Sequence, residues 1–205
     1  MRDGWQVVGI DRNPSSAGIE TRIVDLMQRE AVHATVRTQA FERIDAFIHA
    51  AGFMKTGSWG ALDHDAGAAM WAVHVEAAQI LVDELAPKIA NGGRVVLAGS
   101  RAATGLKGRS QYGATKAALS SLARSWAAEL IDRGITVNVV APAATDTPML
   151  RATARADVPP RLPPLGRLIT PDEVAGTIAF LLSNAAAAIT GQTITICGGA
   201  SLDPA

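Results

Sequence analysis

Short, nearly continuous runs of Val, Ile and Leu alternate along this chain with longer segments of helical period, and this alternation restricts the fold more than any other feature. Gln6–Ile10, Ile44–His49, Arg94–Ala98, Thr136–Val140 and Thr193–Cys197 read as strands, with Arg22–Val24 a weaker one. Apolar residues at consecutive positions mean that both faces of a strand are buried, the pattern of a parallel sheet and not of a half-solvated antiparallel one. Between them, Gln28–Thr38, Ala66–Ala90, Gln111–Ile131 and Pro171–Ser183 read as helices. Strand–helix alternation calls for a parallel sheet covered on both faces. Right-handed crossovers then give an α/β fold with a doubly wound, Rossmann-like sheet.

Several element ends carry their own chemistry. Thr170 is placed to cap the last helix, with Pro171 at its first position and Glu173 completing a capping box. Gly134 is a helix stop before Thr136, and Asn91-Gly92-Gly93 is another before Arg94. Pro87 should end or kink the helix that contains it. The stretch Arg151–Pro164 holds four prolines and is the least regular segment, either a connection or a lid over a pocket. Asp3-Gly4 resembles the end of a helix, so the chain reads as starting inside a βαβ unit.

Composition narrows the function classes. A length of 205 residues with 48% hydrophobic content suits one packed domain, 1–205. Nineteen basic and nineteen acidic residues cancel, so no single-sign field favours nucleic acid or an anionic membrane. The lone cysteine, Cys197, rules out an internal disulfide, suits a cytoplasmic protein and is expected to be a small buried hydrophobe. The start Met1-Arg2-Asp3-Gly4-Trp5 lacks the apolar core of a secretory signal, and Val174–Ile189 is too short and polar to span a bilayer. Four histidines without ligand spacing argue against a metal site.

Tyr112 and Lys116 carry the most pointed chemistry. Four residues apart on a helix, they share one face. A tyrosine with a pKa of about 10 is a poor acid near neutrality, and a neighbouring ammonium is expected to lower it. A tyrosine so tuned can exchange a proton with a carbonyl or alcohol oxygen. The pair alone also arises by chance on surface helices. Ser100 strengthens it: it ends the strand Arg94–Ala98, at the carboxyl edge where doubly wound sheets bind ligands, twelve residues ahead of Tyr112. A turn or cap serine is its structural alternative.

These residues and the segments around them resemble the short-chain dehydrogenases/reductases over essentially the whole chain. Val8-Gly9-Ile10-Asp11-Arg12 is similar to the family's second strand and its acidic end, and Val24-Asp25-Leu26 to the adenine-contacting segment. Ile48-His49-Ala50-Ala51-Gly52 resembles the Asn-Asn-Ala-Gly strand end, Asn138–Met149 the segment that holds the nicotinamide, and Pro164–Glu173 and Gly191–Gly199 the closing helix and strand. The resemblance implies hydride transfer between a nicotinamide dinucleotide and a carbonyl or secondary alcohol. Tyr112 would be the general acid/base, Lys116 the ribose ligand and Ser100 the group that orients the substrate. Asp11 and Arg12 would lie at the adenosine ribose and Asp25 and Leu26 at the adenine. Ala51 and Gly52 would line the cofactor at a strand end, with Pro142, Ala143, Thr145 and Thr147 along the nicotinamide. Asp11 suits the ribose hydroxyls of NAD and Arg12 admits NADP. A homodimer or homotetramer is implied as well, with Ala117, Ala118, Ser121 and Ser125 offering a small-residue face. Within the family, 3-oxoacyl carrier-protein reductase is one alternative. Outside catalysis, a binding or assembly protein is another.

The sequence also departs from the family. Its first strand, glycine-rich pyrophosphate loop and first helix have no counterpart here, so the chain reads as N-terminally incomplete, with the neighbours of the central strand left unpaired. His74 stands where many members carry an active-site Asn, which implies either a replacement proton relay or a packing histidine. His49 and Ala50 replace two asparagines, and Ala143 a glycine. His33 and His64 match no role and are expected at the surface. The side chains from Met149 to Leu165 suggest a partly apolar small-molecule substrate.

Overall fold

The computed structural model describes residues 4–38, 41–153 and 161–202. Strands β1 (Val8–Asp11) and β2 (Glu20–Ile23) pair in parallel, and after helix α1 (Arg29–Thr38) the chain enters β3 (Ile44–His49). Helices α2 (His64–Trp71) and α3 (Ala77–Leu85) follow, then β4 (Ile89–Ala98), α4 (Ser110–Leu130), β5 (Thr136–Pro142), α5 (Pro148–Thr153), α6 (Pro171–Leu182) and β6 (Thr193–Ile196). β3, β4, β5 and β6 form one parallel sheet in that order.

Strand alternation sets the layers. Val95, Leu97, Val137 and Val139 point to one face and pack with Ala78 and Val82 of α3 and Leu119, Ala123 and Ala127 of α4. Val96 and Val140 point to the other and pack with Leu181 of α6. α1 extends the first layer, where Val32 and Val36 meet Leu81 and Leu85, with Ile10 of β1 and Phe47 of β3 against them. β4 and β5 are thus buried on both faces, as their unbroken apolar runs require.

The sheet is in two pieces, in line with the expectation that two neighbouring strands are left unpaired: among the described residues, β1 bonds to β2, β3 bonds to β4, and β1 and β3 are not paired with each other. The expected helix Ala66–Ala90 is also divided. A π-helical turn over Ala72–Glu76 separates α2 from α3, and a 3-10 turn at Ala86–Lys88 containing Pro87 ends the run, so Ile89 and Ala90 join β4 instead. The capping box at Thr170 and Glu173 forms as the sequence indicates, and Gly134 ends the turn after α4 with a φ of 65°, where other residues are disfavoured. Gly4 likewise has a φ of 78°, while Asp3 lies outside the described residues. So do 154–160, and with them the middle of the Arg151–Pro164 stretch. Cys197 is half-buried and not the fully buried hydrophobe expected, because β6 ends at Ile196. No described helix is long and apolar enough to cross a membrane, and no cluster of three or more metal-ligating side chains occurs among the described residues.

Candidate active site

The carboxyl ends of β3, β4 and β5 bring the expected residues together. β4 ends at Ala98, and Gly99 bonds to Val140 of β5 (2.8 Å), which holds Ser100 at the sheet edge. The Ser100 hydroxyl accepts from the Ala102 N–H (3.1 Å), starting a 3-10 turn over Arg101–Thr104 inside what reads as plain loop. Helix α4 presses on this turn at Gly113, where a Cβ would stand 2.7 Å from the Ala102 carbonyl oxygen. Only glycine permits that approach, and it delivers the adjoining Tyr112 to Ser100. The Ser100 side chain comes close enough to the Tyr112 phenol to oppose the rise in its pKa.

Tyr112 and Lys116 are both buried. Lys116 donates to the Ala98 carbonyl (2.8 Å), which ties α4 to the end of β4 and leaves two ammonium hydrogens. Its nitrogen lies 5.9 Å from the centre of the Tyr112 ring. Burial lowers the Lys116 pKa to about 8. The Tyr112 phenol moves the opposite way from the expectation. Burial raises its pKa, and the Ser100 side chain and the Arg109 cation oppose that rise. Lys116 acts less on this phenol than the i, i+4 spacing implies, because the Ala98 carbonyl holds its ammonium.

His74 is fully buried in the π-helical turn, edge-on to the Tyr112 ring at 5.7 Å between centres. Its Nε2 accepts the Phe53 N–H (3.1 Å), which fixes the proton on Nδ1, and Nδ1 donates to the Thr115 hydroxyl (2.8 Å). Thr115 in turn donates to the Tyr112 carbonyl (2.8 Å). Both ring nitrogens are thus engaged by the protein, and His74 braces the β3 end against α4. Burial lowers its pKa to about 3, with the Lys116 cation adding to the effect. A Cβ on Gly52 would meet His74 Nε2 at 2.8 Å, so the glycine in the loop after β3 is required by this histidine. His49, also buried, bonds to the Val73 carbonyl (3.1 Å), and its pKa falls to about 4 for the same reason, burial before charge.

The other expected cofactor residues divide. Asp11 ends β1 exposed, and one of its oxygens accepts the Asn13 N–H (2.8 Å), so it starts a turn and keeps one oxygen for a ligand. Arg12 is exposed beside it. Asp25 accepts the Met27 N–H (2.9 Å), while the Leu26 side chain is buried in the α1–α3 core and has only its backbone to offer. Ala51 is half-buried against that same core. Pro142 and Ala143 follow β5, and Ala143 is locked to Ile196 (2.9 Å). Thr145 donates to the Ala143 carbonyl (3.1 Å), and Thr147 accepts the Leu150 N–H (3.3 Å) at the start of α5.

This donor set fits the nicotinamide and its ribose: a buried lysine with spare hydrogens, a Ser–Tyr hydroxyl pair and a glycine-lined strand end converge on one edge. Among the described residues no glycine-rich strand-to-helix turn is present for a pyrophosphate. Sequence reasoning missed Thr115 and the anchoring role of His49, because a buried hydroxyl or imidazole shows its partners only in three dimensions. A cavity of about 340 Å³ lined by Trp5, Arg43 and Arg94 lies at the opposite, amino end of the strands, away from this chemistry.

Fold and site together define a doubly wound α/β protein with Ser100, Tyr112 and Lys116 gathered at the carboxyl edge of its sheet. A family model described as Enoyl-(Acyl carrier protein) reductase matches residues 5–201. The 2,3-dihydro-2,3-dihydroxybenzoate dehydrogenase of Escherichia coli (strain K12) is 38% identical over 176 residues, covering 78% of this chain and 71% of its own. The 3-oxoacyl-[acyl-carrier-protein] reductase of the same organism is 30% identical over 209 residues, covering 96% and 82%. A short chain dehydrogenase from Burkholderia cenocepacia J2315, solved in complex with NADP, superposes with a TM-score of 0.78 at 32% identity, over 88% of this chain and 76% of that one. The chain belongs to the short-chain dehydrogenase/reductase family.

Proposed function

We propose that this protein transfers hydride between NAD(P) and the carbon of a carbonyl or secondary alcohol, with Tyr112 as the general acid/base. The observation that carries the reading is the buried Tyr112 with the buried Lys116 ammonium 5.9 Å from its ring centre and Ser100 beside its phenol. A bound nicotinamide would supply or accept the hydride. In the reducing direction Ser100 holds the substrate oxygen beside Tyr112, and Tyr112 gives that oxygen its proton. Lys116 holds the nicotinamide ribose with the hydrogens that Ala98 leaves free. Thr145 and Thr147 would hold the nicotinamide end and Asp11 and Arg12 the adenosine ribose, where the spare Asp11 oxygen would favour NAD and Arg12 would accommodate NADP.

A narrower reading, reduction of a 3-oxoacyl carrier-protein thioester, draws support from the name of the 30% identical relative. Ala117, Ser121 and Ser125 form an exposed small-residue stripe on α4 that supports assembly as a homodimer or homotetramer. The test is a titration of NADH and NADPH fluorescence with the purified protein, followed by absorbance at the nicotinamide band with a panel of ketones. Quenching and ketone-dependent oxidation are expected. Absence of both would favour a binding or assembly protein on the same fold.

A further inference from the structure

Arg109 is the residue just before α4, in non-helical backbone three positions ahead of Tyr112. Its carbonyl accepts the Gly113 N–H (2.7 Å), which fixes the first turn of the helix. Its backbone pairs with Gly57, and the Gly57 N–H bonds to the Gly108 carbonyl (3.0 Å), so the loop after β3 runs alongside at the mouth of the site. The Arg109 side chain is half-buried, and among the described residues no carboxylate pairs with it. Arg151 pairs with Asp146 and Arg167 with Glu173, while Arg94, Arg101 and Arg133 donate to backbone carbonyls. Asp63 shares this rim, because its carbonyl takes the Gln111 amide, but its carboxylate caps α2 through the Ala66 N–H (2.9 Å).

A guanidinium withdrawn from water without an anion carries an unmet cost. Its planar fork matches a carboxylate with two parallel hydrogen bonds. Its charge also reaches the Tyr112 hydroxyl, where it favours the phenolate. The relative at 38% identity carries a carboxylated ring in its substrate's name, dihydroxybenzoate.

Resting on the dehydrogenase reading, we propose that Arg109 is a carboxylate-recognition group and that this protein acts on hydroxy- or oxo-acids in preference to uncharged alcohols and ketones. The probes are benzoate, measured by calorimetry, and two ketones, 3-oxocyclohexanecarboxylate and cyclohexanone, measured by NADPH oxidation. Wild-type protein should bind benzoate and prefer the carboxylated ketone. Arg109→Gln should cut the kcat/KM ratio of carboxylated to neutral ketone roughly tenfold to hundredfold, through KM, with Arg109→Lys between the two. Lys107→Gln, an exposed cation two residues earlier, should leave that ratio unchanged. No preference in wild type, an equal loss on both ketones, or the same change in Lys107→Gln overturns the proposal. Turnover of cyclohexanone without benzoate binding also overturns it and leaves the dehydrogenase reading standing. Benzoate binding lost in Arg109→Gln, in a protein that turns over neither ketone, upholds the carboxylate site and removes the hydride-transfer reading instead.

Discussion

Acidification from pH 7 to pH 5 should weaken this fold before most carboxylates titrate, because His49 and His74 are buried as neutral rings. Their folded pKa values of about 4 and about 3 lie below the ordinary 6.5. As the pH falls, the unfolded chain therefore takes up these protons first. Stability is full above about pH 6.5 and declines from there towards the folded values. Each pH unit in that window costs about 1.4 kcal/mol per ring, so pH 5 removes about 2 kcal/mol for each and about 4 kcal/mol for both. That is a large part of the roughly 5–15 kcal/mol that holds a domain together. The two rings share the Lys116 cation and repel one another when charged, so their losses belong to the pair. The assay is urea unfolding followed by tryptophan fluorescence at half-unit steps from pH 7.5 to 5. His74→Gln, which keeps hydrogen-bonding groups without a titrating ring, should remove about half of the pH slope. A flat profile between pH 7 and 5 in the wild type, or an unchanged slope in His74→Gln, would refute the assignment of these rings as buried and neutral.

Other perturbations probe the support of Tyr112. Gly113→Ala puts a methyl 2.7 Å from a backbone oxygen that has little room to yield; a loss of about 1–3 kcal/mol in chemical denaturation is expected, with a further fall in turnover as α4 is pushed from Ser100. Thr115→Val removes the acceptor of the His74 N–H and should cost about 1–3 kcal/mol. It should also weaken NADPH affinity through the loop at Phe53, while Thr115→Ser restores both and the pH profile of kcat/KM keeps its midpoint; a shifted midpoint would mean that His74 takes part in proton transfer after all.

Much of this arrangement was legible in the sequence. The unbroken apolar runs of β4 and β5 identified buried parallel strands, and Ser100, Tyr112 and Lys116 could be placed because a strand end and an i, i+4 helix spacing are local properties. The Thr170 capping box was equally readable, since its partners lie within four residues. What escaped depends on contacts across the fold. The π-helical turn carries His74 and meets His49 through the Val73 carbonyl, and no periodicity marks it. The burial of the Leu26 side chain in the core beneath α1, which leaves only its backbone for a ligand, was likewise not marked by the sequence. The direction of the Tyr112 shift was misjudged because spacing gives the distance to Lys116 but neither the burial of the phenol nor the Ala98 carbonyl that holds the ammonium.

The central claim, that Tyr112 moves the proton while hydride moves at carbon, is tested most directly by the rate of NAD(P)H oxidation in Tyr112→Phe. The substitution keeps the ring that packs against His74 and removes only the hydroxyl. The account predicts loss of turnover by about 10²–10⁴-fold, with the circular dichroism spectrum and the unfolding midpoint preserved. Turnover within a few-fold of the wild type would contradict it.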